Sequence, residues 1–163
     1  MKLIKAMMLA ALMVLSTTAF AFTDDESVEY STALQEGNVA YIKKMLDSGA
    51  VGVDERRAFF GWSALQIAAN RGQLAAVKVL VEHKANLNFQ HEMTKNTALH
   101  LAALNGYKDV VKYLIDAGAD VNLKMRGDVA LLRVVRDMGN TEMVDILVKA
   151  GAKDDGCQDE KCF

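Results

Sequence analysis

The sequence predicts an all-α solenoid of about four stacked helix-turn-helix units. Three observations carry this. Gly37, Gly72, Gly106 and Gly139 recur 35, 34 and 33 residues apart. A second series, Gly49, Lys84, Gly118 and Gly151, drifts by the same 35, 34 and 33. Each glycine of the first series is followed by a similar amphipathic segment: "NVAYIKKMLDSG", "QLAAVKVLVEHK", "YKDVVKYLIDAG" and "NTEMVDILVKAG". In the third, Val110, Val111, Leu114 and Ile115 fall on one helical stripe, matched by Ala76, Val77, Leu80 and Val81 and by Met143, Val144, Leu147 and Val148. One helix pair cannot bury such a stripe, whereas stacked pairs can.

The N-terminal segment stands apart from the repeats. "MKLIKAMMLAALMVLSTTAFA" has Lys2 and Lys5 in front, an apolar run from Ala6 to Leu15, and Ala19-Phe20-Ala21 as a small-x-small cleavage site. It reads as a signal peptide over 1–21, with the periplasm as destination. The apolar run of about 10 residues is shorter than the ~20 that a membrane span needs, and no later segment is a span candidate, so no membrane association is expected after cleavage. Removal of two lysines leaves 17 basic against 21 acidic residues, a charge of −4. Uncleaved anchoring is the alternative. The charges are scattered and form no basic stripe, so nucleic acid is not an expected partner.

The repeat domain is taken as 22–153, with units at about 26–55, 60–92, 95–125 and 127–153. "NTALHLAALNGYKDVVKYLIDAGADVN", residues 96 to 122, resembles an ankyrin repeat, and "SALQIAANRGQLAAVKVLVEHKANLN" is similar to it. The resemblance runs over roughly residues 26 to 153 and implies paired antiparallel helices with β-hairpin fingers between units. The chain has no Pro, so the family's Thr-Pro-Leu-His becomes Ser-Ala-Leu-Gln, Thr-Ala-Leu-His and Val-Ala-Leu-Leu, without the rigid helix start that Pro supplies. The fourth unit aligns in two ways that differ by one residue. Arg133, Arg136 and Asp137 stand where inner units carry Ala or Leu, as expected of a solenoid end that faces water.

Few residues offer chemistry, and neither a catalytic residue, a metal ligand nor a cofactor is expected. His100 sits in "TALH", where the family's ring hydrogen-bonds the loop and holds the helix start. His83 ends a helix, where an imidazolium suits the dipole, and His91 lies in a loop. The tail 154–163 holds Cys157 and Cys162 with four residues between them. In an oxidising compartment they are disulfide candidates, with a loop so small that closure contributes about 2 kcal/mol. Acidic neighbours Asp154, Asp155, Asp159 and Glu160 raise a thiol pKa rather than activate it.

What remains is surface. In "FFGWSAL" the register from Leu65 places Gly61 at a finger turn with Phe59, Phe60 and Trp62 beside it, in the longest loop of the chain. Three rings buried by a partner would supply roughly 5–9 kcal/mol gross. Two readings stand: partner contact, or packing back on Phe89 and Met93 of the next finger. Arg56, Arg57 and Lys95 give this face a positive edge that suits an acidic or amphipathic segment. Asn70, Arg71, Leu104 and Asn105, at the ends of first helices, continue the same groove by resemblance to other ankyrin proteins. The sequence thus reads as a monomeric, non-enzymatic periplasmic protein-binding module. Resemblance to exported bacterial ankyrin proteins implies a helper of a haem enzyme of peroxide protection such as catalase. The alternative is a thiol-redox or metal- or haem-handling protein using the Cys tail and the histidines.

Overall fold

Short helices need their exposed backbone donors closed, and here side chains do it in place of the missing prolines. Ser63 Oγ accepts from the Gln66 backbone N–H at 3.2 Å while Gln66 Oε1 accepts from the Ser63 N–H at 3.0 Å. Thr97 and His100 repeat the arrangement, at 3.2 Å and 3.0 Å. Both are reciprocal capping boxes, the second with an imidazole in the usual carboxylate or amide role.

A computed structural model describes residues 24–55 and 61–154. Among them lie eight helices: α1 Asp24–Glu36, α2 Val39–Asp47, α3 Ala64–Asn70, α4 Leu74–Glu82, α5 Ala98–Leu104, α6 Lys108–Asp116, α7 Leu131–Asp137 and α8 Thr141–Lys149. They pair as α1/α2, α3/α4, α5/α6 and α7/α8, and the pairs stack so that odd helices form one row and even helices the other. The contact between α3 and α5 is the most extensive of any helix pair described. Small side chains make this possible, since Ala68, Ala69, Ala102 and Ala103 are all buried there. The even helices bury one face only, through Ile42 and Met45, Val77 and Leu80, Val111 and Leu114, and Met143 and Leu147. Leu65, Leu80, Leu99 and Leu114 lose almost all contact with water, each worth about 1.5–3 kcal/mol.

Polar side chains then tie unit to unit. Asp54 accepts from the Asn86 backbone N–H (2.9 Å), Asn88 from that of Asp120 (2.8 Å) and Asn122 from that of Lys153 (2.8 Å). Gln66 Nε2 donates to the Asn96 carbonyl at 2.7 Å and His100 Nε2 to the Leu123 carbonyl at 2.9 Å. These bonds shape the fingers. The expected β-hairpins reduce to turns: no strand forms among the described residues, and the one antiparallel bridge joins Met125 and Val129. In the second finger the His91 N–H donates to the Asn96 carbonyl (3.0 Å), which Gln66 Nε2 also reaches, and neighbouring fingers are tied by Gln90 Nε2 (to the Lys95 and Lys124 carbonyls, 2.9 and 2.8 Å) and by the Arg126 N–H (to the Thr94 carbonyl, 3.1 Å).

The ends differ from the middle. At 13 residues α1 is nearly twice the length of α3, α5 and α7, each 7 residues. In the fourth unit Ala130 is the N-cap and makes no side-chain cap bond. This selects the alignment in which Leu132 takes the place of Leu99, and it puts Arg133 where His100 stands. Arg133 lies 3.8 Å from Asp137, and Arg136 pairs with Asp154. Val148, expected in the apolar stripe, is exposed, because among the described residues no further unit lies beyond α8 to cover it.

The turns between paired helices need glycine for two separable reasons. Gly72 and Gly106 have φ of +70° and +78°, which L side chains rarely adopt. At Gly72 a Cβ would in addition lie 2.5 Å from the Tyr107 ring, while at Gly106 it would meet nothing within 4 Å. Gly106→Ala should therefore cost about 1 kcal/mol of backbone strain, and Gly72→Ala distinctly more. Urea denaturation checks this, and the excess at Gly72 should vanish in a Tyr107→Ala background.

Candidate docking surface

The two inner odd helices bury nearly everything they carry. In α5 every residue from Ala98 to Ala103 is buried, and in α3 every residue from Ala64 to Ala69. What these two can show a partner is the C-terminal end, whereas α1 also exposes Val28, Glu29 and Thr32, and α7 Arg136. The C-terminal ends of all four odd helices line up. Those ends form two aligned columns across the stack, Gln35, Asn70, Leu104 and Asp137, then Glu36, Arg71, Asn105 and Met138. Neighbouring units are cross-braced there. Arg71 Nη2 donates to Gln35 Oε1 at 3.2 Å, and Asn105 Nδ2 donates both to Asn70 Oδ1 at 3.0 Å and to the Leu101 carbonyl at 2.8 Å. In both cases the second column of one unit reaches the first column of the unit before it.

The expected groove residues thus come together: Arg71 and Asn105 are exposed, Asn70 and Leu104 half-buried, with Leu104 resting on the core. Met138, exposed in the same column, was missed by sequence reasoning. Its signal was the 33-residue step from Asn105, which the ambiguous fourth unit obscured. The finger tips form a second row at the other end of the odd helices, about 10 Å away along seven residues. There Met93 and Lys95 are exposed, Met93 at 63%, and Lys95 sits at φ +59° in the turn.

Trp62 has a different setting. It is half-buried, rests on the core, and meets His91 edge-on with ring centroids 6.2 Å apart and planes at 68°. His91 itself is buried, with Thr94 Oγ1 3.2 Å from its Nδ1. Trp62 therefore braces the first finger against the second. Arg56, Arg57, Phe59 and Phe60 lie outside the described residues, as do the signal segment and Cys157 and Cys162.

The three histidines serve as structural groups. His83 puts Nδ1 2.8 Å from the Val79 carbonyl and Nε2 2.9 Å from Asp47 Oδ1. The hydrogen bond to Asp47, then that to Val79, hold its pKa above 6.5. His100 is the reverse case: burial lowers its pKa, outweighing the Leu123 carbonyl, which raises it. The Thr97 N–H donates to its Nδ1, which leaves Nε2 as the protonated nitrogen. Among the described residues no group of three or more His, Cys, Asp or Glu is placed to hold a metal ion, and no helix is long and apolar enough to cross a membrane.

Comparison with known proteins agrees with this architecture. A family model described as "Ankyrin repeats (3 copies)" matches residues 31–125. Similar proteins include Ankyrin repeat and SAM domain-containing protein 6 of Rattus norvegicus, 34% identical over 135 residues, 80% of this chain and 15% of that protein. Alpha-latroinsectotoxin-Lt1a of Latrodectus tredecimguttatus is 44% identical over 75 residues, 45% of this chain and 5% of that one. Ankyrin repeat and SOCS box protein 6 of Homo sapiens is 45% identical over 64 residues, 39% of this chain and 15% of that one. The chain spans 15% or less of the length of each, and their differing names indicate that the repeat, not one activity, is what they share.

Gln66 and His100 make the same bonds one unit apart, so His100→Gln should fold with stability within about 1 kcal/mol of the parent. His100→Leu leaves the Leu123 carbonyl and the Thr97 N–H unpaired, at about 1–3 kcal/mol each. The histidine also carries a pH signature. Its folded pKa lies below 6.5, so as pH falls from 6.5 towards that value the unfolded chain takes up a proton that the folded chain does not, and stability drops. His83, with a raised folded pKa, acts in the opposite sense, contributing fully below pH 6.5 and losing its contribution as pH rises through the raised value. Denaturant melts from pH 7 to 5 should show a smaller acid-side loss in His100→Gln than in the parent; equal losses would remove His100 as its source.

Proposed function

The chain belongs to the ankyrin-repeat family, and from that premise we propose that it is a non-enzymatic docking module that grips a protein partner across the helix-end columns and the finger tips. Ankyrin repeats are a protein-interaction module, and one observation carries the reading to this chain. The side chains that the inner odd helices α3 and α5 leave accessible fall in register with the C-terminal ends of α1 and α7 on one edge of the stack, with Arg71, Asn105 and Met138 exposed in a single column. Columns so aligned offer a partner several contacts at fixed spacing, and a central residue of such a patch is commonly worth more than 1–2 kcal/mol.

The signal-like segment motivates the further proposal that the module works in the periplasm. The resemblance to exported bacterial ankyrin proteins makes a haem-containing peroxide-protection enzyme such as catalase the first partner to try.

Residues 22–163 immobilised on a resin should retain a partner from periplasmic extract, with catalase as a purified bait. Arg71→Glu combined with Met138→Asp should weaken capture at least tenfold while the circular dichroism spectrum stays unchanged. Lys78→Glu on α4, an exposed residue of the even row, should leave it intact. Capture insensitive to the first pair, or lost with the second change, would overturn the assignment of the docking face.

A further inference from the structure

The cross-braces at the helix ends determine which polar atoms are left over. The Leu101 carbonyl can only accept, so the Asn105 group beside it must be the NH2, and that same nitrogen meets Asn70. Asn70 therefore turns Oδ1 to its neighbour and its NH2 away. A guanidinium can only donate, so Gln35 gives Oε1 to Arg71 and likewise turns its NH2 away. The carbonyl oxygen of Asn105 is the third group left over. One edge of the stack thus presents donor, donor and acceptor on three consecutive units, with orientations imposed by the fold rather than chosen by a ligand. In the fourth unit the pattern changes, since the two positions there are Leu104, from the unit before, and Met138, both apolar.

Spacing says what could use such a row. Packed helices lie about 8–10 Å apart, and an extended polypeptide advances about 3.3 Å per residue. Every third residue of an extended chain laid across the units therefore passes one unit, and its main chain carries both an N–H and a carbonyl to offer. A helix laid the same way has its main-chain groups already paired and could not use the row.

We infer that the ligand of this edge is an extended peptide segment of the partner, read through its main chain by Gln35, Asn70 and Asn105 at three-residue intervals, with an apolar side chain seated on Leu104 and Met138. The inference deepens the docking reading and rests on it. Arg71 stands between the amides with N–H groups beyond the one given to Gln35, and suits an acidic side chain or carbonyl of the same segment.

The probe is a phage-displayed library of random linear 12-residue peptides, selected on residues 22–163. Selected peptides should share an apolar residue near one end and little else. Gln35 and Asn70 donate to peptide carbonyls and only Asn105 accepts a peptide N–H, so N-methylation along a selected peptide should weaken binding tenfold or more at one position and little elsewhere, while thioamide replacement, which weakens the carbonyl as acceptor, should weaken it at two positions three residues apart. Asn70→Ala with Asn105→Ala should lower affinity at least tenfold while the urea midpoint shifts only slightly; Gln35→Ala alone provides a milder variant if that pair loosens the stack. Failure to select peptides that discriminate the parent from the Asn70/Asn105 variant, an N-methyl scan without the single sensitive position, or a thioamide scan without the three-residue spacing, overturns the inference. The two readings fail differently: a folded partner still released by Arg71→Glu/Met138→Asp but indifferent to Asn70→Ala/Asn105→Ala keeps the docking face and rejects main-chain reading.

Discussion

The second and third repeats are each coupled to the next by a polar side chain that closes its own helix and then reaches a loop carbonyl in the unit ahead. Gln66 does this towards Asn96 and His100 towards Leu123. Apolar burial alone would hold the helices together but would leave the Leu123 carbonyl and the Ser63 and Thr97 donors unpaired inside the stack, a cost of about 1–3 kcal/mol for each group, while the Asn96 carbonyl would keep the His91 N–H. The bond also has direction. It sets the height of the following finger relative to its own helix, so the loops stack in register and the Asp54, Asn88 and Asn122 ties fall at matching places.

The same logic explains how the solenoid behaves at its ends. At the fourth unit both members of the coupling pair are replaced, Ser or Thr by Ala130 and Gln or His by Arg133. Arginine cannot accept the N-cap N–H, so no capping box can form. Contrary to the expectation of a water-facing residue, the Arg133 side chain is only 15% exposed and lies 3.8 Å from Asp137, whose own side chain is exposed. The chain nevertheless starts a loop in the old pattern, since Lys153 still donates to Asn122, and Asp154 pairs with Arg136 instead of entering the core. At the opposite end α1 simply extends, covering the first unit with its own additional turns.

Much of this could be read from the residues in order. Glycine spacing located the units, and the apolar stripes of α4, α6 and α8 are the ones predicted, save Val148, whose exposure depends on a neighbour that a periodicity argument assumes. Ser-Ala-Leu-Gln and Thr-Ala-Leu-His marked the helix starts, and the holding role of His100 followed from the resemblance, but the matching role of Gln66 appears only in the structure. Trp62 was ambiguous in principle, because an aromatic beside a turn glycine has the same local sequence whether it meets a partner or, as here, His91. The cross-braces were less accessible still. Asn70 and Asn105 lie 35 residues apart and their bond is diagonal between units, so neither helix periodicity nor repeat alignment pairs them. Only the stacking geometry does.

That diagonal bond links stability to recognition. A flat edge of exposed leucines would bind more strongly, but it would also invite the edges of other copies, since apolar contact has no direction. Carboxamides fixed by their neighbours discriminate by geometry and lose little rotamer freedom on binding, because the fold has already immobilised them. They are also neutral, so the contact is not erased by salt as a charged rim would be. In a repeat stack, where each unit contacts only its neighbours, a ligand bridging Gln35, Asn70 and Asn105 would add coupling along the axis on which the structure depends most. Binding and unit-to-unit cohesion would then reinforce one another through the same atoms.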